Sequence, residues 1–135
     1  MFLDERTLWP DGRYVTTHLV VTKVFLADHP QLIRRLLAGL IEVTQTINAD
    51  KAAAGGILNA ELKKETGKAL PEAVVAQALE RIEFTWDPLS ASLRQCCDAA
   101  HAVGFLKRQP DLAGIYSLRA LNDVLRAKGL PPVAN

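Results

Sequence analysis

A disulfide framework, an excess of one charge, long apolar runs and clustered histidines are all missing from this sequence. Each absence removes a class of function. The two cysteines, Cys96 and Cys97, are neighbours. A bond between them would close an eight-membered ring and strain the peptide, so no disulfide framework follows and the redox compartment stays open. Sixteen basic residues face 15 acidic ones, a net charge of +1, which does not make the electrostatic footprint of a nucleic-acid binder. No run of 18 apolar residues offers a membrane span. The opening MFLDERTLWPDGRY carries Asp4 and Glu5 where a signal peptide is basic, and no apolar run follows, so no export signal is expected.

Catalytic signatures are missing too. There is no GxSxG, HExxH, P-loop or GxGxxG. His18, His29 and His101 stand far apart, so neither a metal site nor a cofactor is expected. Cys96 and Cys97 fall in mid-helix beside Asp98 and read as small buried hydrophobes rather than reactive thiols. The sequence does not read as an enzyme.

What is present is a globular composition in a length that suits one domain. Residues 4–13 hold the turn signals Pro10, Asp11 and Gly12. RYVTTHLVVT, Arg13 to Thr22, is rich in β-branched residues and predicts a strand, apolar on both faces. KVFLADHP predicts one short helical turn. From Gln31 the spacing predicts a helix with Leu32, Ile33, Leu36, Leu37, Leu40, Ile41 and Ile47 on one stripe and Asp28 as N-cap. A second helix is predicted over 51–66, weakened by Gly55 and Gly56 and closed by Gly67. A third runs from Pro71 to Arg81 with Val74, Val75, Ala78 and Leu79 inward. IEFTWDP interrupts as a short strand. A fourth helix runs over 89–106, carrying Leu93, Cys97, Ala100 and Phe105. Ser117 caps a last helix with Leu118, Leu121, Val124 and Leu125, before Gly129 and Pro131–Pro132. No internal repeat is evident.

That inventory leaves one good strand and one very short one, far apart in sequence. A buried, unpaired backbone group costs about 1–3 kcal/mol, so a lone strand implies a sheet supplied from outside this chain.

Two groups of residues suggest a ligand. Arg13, Thr16 and Thr17, near the start of the predicted strand, combine a guanidinium with hydroxyls and suit a small anion. For each residue alone, surface charge and ordinary β-propensity are the plainer explanation. Thr85 and Trp86, ahead of Asp87, place a hydroxyl beside an aromatic ring, as ligand clefts do. A packed tryptophan explains Trp86 equally well. Asp87 as N-cap with Pro88 in the first turn needs no ligand at all.

Three ordered segments carry a family resemblance: GRYVTTHLVVTKVFLADHPQLIRRLL, then NAELKKETGKALPEAVVAQALERIEFTWDPLSASL, then SLRALNDVLRAKGLPPV. Together they resemble the substrate-binding proteins of ABC transporters of the aliphatic-sulfonate, nitrate and taurine type, over about Leu8 to Val133. The resemblance implies an α/β fold, the C-terminal portion of a two-lobed type II periplasmic-binding protein. It would be mostly helical, with a hinge-return strand at about 13–22 and a short strand at IEFTW. The N-terminal lobe and its export segment would lie outside the chain. It implies a small anionic solute held between lobes, at Thr16, Thr17, Thr85, Trp86 and Arg13, and handed to ABC permease subunits. It also implies a periplasmic or cell-envelope location. Relatives that make the thiamine pyrimidine are enzymes, but the adjacent cysteines do not match theirs. A further possibility is a helical interaction module, derived from that fold, that self-associates through its unpaired strand.

Overall fold

The computed structural model describes residues 3–134 and groups them into two units, one made of residues 3–34 and 87–134, the other of 35–86. Among the described residues there are six α-helices: α1 Lys23–Asp28, α2 Pro30–Ala49, α3 Lys51–Thr66, α4 Glu72–Arg81, α5 Ser90–Ala102 and α6 Arg119–Ala127. Two short 3-10 turns, Glu5–Leu8 and Pro10–Gly12, precede them. No strand occurs among the described residues.

The expected α/β arrangement, a portion of a two-lobed type II periplasmic-binding fold with a main strand at 13–22 and a short one at IEFTW, is therefore corrected to all-helical. The reason lies in what propensity specifies. Arg13 (φ −119°, ψ 130°), Thr22 (φ −71°, ψ 154°) and Ile82 (φ −101°, ψ 129°) do have extended backbones. At Thr22 and Ile82 the stiffness of a β-branched side chain favours those angles locally. A strand also needs a ladder, and among the described residues neither segment finds one. Among the described residues, the N–H and C=O groups of residues 14–21 make no hydrogen bond to other backbone. Water meets this need where the chain is exposed, as at Thr16, Thr17 and Leu19–Val21.

The helix ends follow local chemistry. Thr22 caps α1, its Oγ1 accepting from Phe25 N at 3.1 Å. Asp28 closes that helix instead of capping α2, and α2 starts on Pro30, whose missing N–H costs nothing in a first turn. Asp50 caps α3 by accepting from Ala53 N at 2.9 Å. At the other end Gly67 takes φ 77° and returns its N–H to Lys63 O. The α6 terminus is a Schellman turn: Leu130 N donates to Leu125 O and Gly129 N to Arg126 O.

In the unit of residues 35–86 the buried residues are Ile41, Thr44, Gly55, Val75 and Leu79. Gly55 lets α3 approach α4 closely: a Cβ there would lie 2.9 Å from Leu79 Cδ1 and 3.2 Å from Val75 Cγ1. Two side-chain bridges brace this pair. Lys51 Nζ donates to Leu79 O and Ile82 O, both at 3.0 Å, so an ammonium serves the carbonyls left open at the end of α4. Asn59 clamps Leu70, donating to its O and accepting from its N at 2.8 Å each.

In the unit of residues 3–34 and 87–134 the buried residues are Ile33, Ser92, Leu121 and Leu125. Asn122 repeats the clamp, holding Val133 through both backbone groups at 2.8 and 3.0 Å. Helix α5 ends at Ala102, four residues sooner than expected. Gly104 takes φ 82° and leaves Phe105 86% exposed instead of packed.

Candidate functional site

The unit formed by residues 3–34 and 87–134 contains a recess of about 190 Å³. Its wall is built from the Pro10–Gly12 turn, Arg13 and the start of α5, namely Asp87, Leu89 and Ser90–Ser92. The α5 start is not the expected one. Asp87 Oδ1 accepts from Leu89 N at 2.9 Å, a turn rather than a cap. Leu89 then takes φ 49°, ψ 61°, so the helix begins at Ser90 instead of Pro88. A left-handed leucine costs about 1–2 kcal/mol. The Ser92 side chain offsets part of this by donating to Leu89 O at 2.9 Å.

Electrostatically the recess is mixed. It presents the Arg13 guanidinium and the first turn of a helix, which both favour an anion, and the carboxylates of Asp11 and Asp87, which oppose one.

A second cluster lies in the same unit. His18 Nε2 stands 3.1 Å from Pro88 O and 3.3 Å from Tyr116 Oη, with the two rings 5.8 Å apart. A carbonyl oxygen only accepts, so the His18 Nε2–H donates to Pro88 O. Burial pushes the Tyr116 phenol above its ordinary value, and the nearby Cys97 and Asp87 push in the same direction. Nearer the N-terminus, Trp9 stacks on Tyr14 at 5.4 Å and 23°.

Of the ligand candidates read from sequence, Arg13 lines the recess. Thr16 and Thr17 belong to the same unit but are exposed and do not line it. Thr85 and Trp86 belong to the unit of residues 35–86, where both are half-buried. The sequence reading missed His18 and Tyr116 as a pair, and Leu89, Ser90 and Ser92 as recess wall. The pair is separated by 98 residues, which no spacing rule spans. No three of the described His, Cys, Asp and Glu residues converge as a metal site, and none of the described helices is long and apolar enough to cross a membrane. No family model, curated protein or solved structure matches the chain.

Proposed function

We propose that the chain is the solute-binding component, or a portion of one, of an ABC importer. It takes a small anion such as an aliphatic sulfonate, taurine or nitrate and passes it to permease subunits in the membrane at the cell envelope. It binds and releases without chemistry. The observation that carries this reading is the order and length of the three resembling segments, which run from Gly12 to Val133. The position of Arg13 supports it: the guanidinium shares a recess with the first turn of α5. The carboxylates beside it favour taurine, an ammonium-bearing sulfonate, over nitrate. Thr16, Thr17, Thr85 and Trp86 remain the other proposed ligand contacts.

A thermal melt of the purified chain with and without taurine, alkanesulfonates and nitrate tests the proposal. A ligand at 100 times its Kd stabilises by about 2.7 kcal/mol, which raises the Tm of a chain this size by several degrees. The expected result is an upward shift with taurine that Arg13→Ala abolishes. A melt unmoved by every solute would overturn it.

A further inference from the structure

The turn that follows α5 leaves apolar side chains in water. Every residue from His101 to Gln109 is exposed. Val103 is 69% and Phe105 86% exposed, and Leu106 continues the run. The turn is nonetheless braced. Val103 N donates to Ala99 O at 3.1 Å, Gly104 N to His101 O at 3.0 Å and Leu106 N to Ala100 O at 3.2 Å. The Gln109 side chain donates to Asp98 Oδ1, which closes the turn on α5. Two cations, Lys107 and Arg108, come next. None of the ion pairs or hydrogen bonds among the described residues involves either side chain. The flanking acids are engaged elsewhere: Asp98 accepts from Gln109, and Asp111 Oδ1 accepts from Ala113 N at 2.8 Å. From Ala99 to Pro110 the chain contains no acid.

We propose that this turn docks on the surface of an anionic lipid bilayer. Val103, Phe105 and Leu106 enter the interface, and Lys107 and Arg108 lie against the headgroup phosphates. Three observations select that partner. The first is charge: bare cations directly beside bare apolar side chains complement negative headgroups above hydrocarbon. The second is size. A protein partner is held by about 20–30 residues a side, whereas the apolar and basic run ends within Val103–Arg108. A fluid bilayer accepts a short tip without a matching surface. The third is bracing: the hydrogen bonds that fix the turn are made before contact, so little order remains to be lost on docking. So few side chains make a reversible contact and not an anchor. Docking is independent of solute binding, and either can fail alone.

Co-sedimentation with vesicles tests the docking, using phosphatidylcholine mixed with phosphatidylglycerol and phosphatidylcholine alone, each at low and high salt. The wild-type chain is expected to pellet with the mixed vesicles at low salt and much less under the other conditions. Replacing both cations, Lys107→Gln with Arg108→Gln, should lower the partition coefficient about twentyfold, at about fivefold for each charge. Phe105→Ser should lower it at least about fivefold. Ile57→Ser, at a 68% exposed position on α3, should leave it unchanged. All four residues are exposed, so helix content by circular dichroism should not change. A wild-type chain that ignores the anionic vesicles overturns the proposal. So does binding that Ile57→Ser weakens as much as Phe105→Ser, or binding indifferent to the loss of both cations. Capture on polyglutamate beads as strong as on vesicles, and unchanged by Phe105→Ser, would assign the cations to an acidic protein surface and overturn lipid docking.

Discussion

Gly55 and Gly56 are neighbours in one helix, and alanine at each should move stability in opposite directions. Both lie in the interior of α3, where replacing glycine by alanine gains about 1 kcal/mol through backbone entropy. At Gly56 nothing lies within 4 Å of the added methyl, so Gly56→Ala keeps that whole gain. At Gly55 the methyl would sit 2.9 Å from Leu79 Cδ1 and 3.2 Å from Val75 Cγ1. Leu79 can turn its terminal methyl aside, but it is buried, and the β-branched Val75 is stiff. Overpacking of this kind costs about 1–3 kcal/mol, which outweighs the helix gain. Gly55→Ala should therefore be destabilised by about 1 kcal/mol. The difference between the two variants cancels the shared propensity term and isolates the clash at about 1–3 kcal/mol. Urea unfolding followed by circular dichroism measures it. Equal midpoints for the two variants would refute a close α3–α4 approach at Gly55.

Lys51→Met should lower stability by about 1–2 kcal/mol, because two charge-assisted hydrogen bonds to Leu79 O and Ile82 O are lost and water replaces them only in part. An unchanged urea midpoint would show that those carbonyls need no partner. Tyr116 sets an alkaline limit. Its phenol is raised above 10.0 in the folded chain, so its contribution is whole below that pH. As pH climbs further the unfolded chain ionises first, and stability falls until the folded-state phenol has ionised too. Tyr116→Phe should flatten that decline above about pH 10, and parallel pH profiles for the two proteins would remove the linkage.

The helices were legible because their signals are local. Asp50 and Gly67 bound α3 through contacts made within one turn, and α6 shows its apolar face through Leu121 and Leu125. Where meaning depended on distant residues, the reading failed. RYVTTHLVVT and IEFTW carry strand propensity, but a ladder is a property of two segments, and among the described residues neither has a backbone partner. The stripe on α2 was too wide. Ile33 and Ile41 are buried while Leu32, Leu36 and Leu40 are exposed, because spacing specifies a face and not how much of it is covered. Asp87-Pro88 looked like a cap with its first-turn proline. The left-handed Leu89 moved the helix start two residues on and put Ser90–Ser92 on the recess wall beside Arg13. Arg13 could be singled out by its chemistry, whereas the pairing of His18 with Tyr116 exists only in the folded chain.

Amide hydrogen exchange across residues 14–21 tests most directly whether this backbone is unpaired, as the all-helical arrangement of the described residues requires. These amides should exchange at nearly unprotected rates while the α3 and α4 interiors are slow. Protection across the segment comparable to that of the helix interiors would mean that it is paired in a ladder, contrary to the all-helical fold.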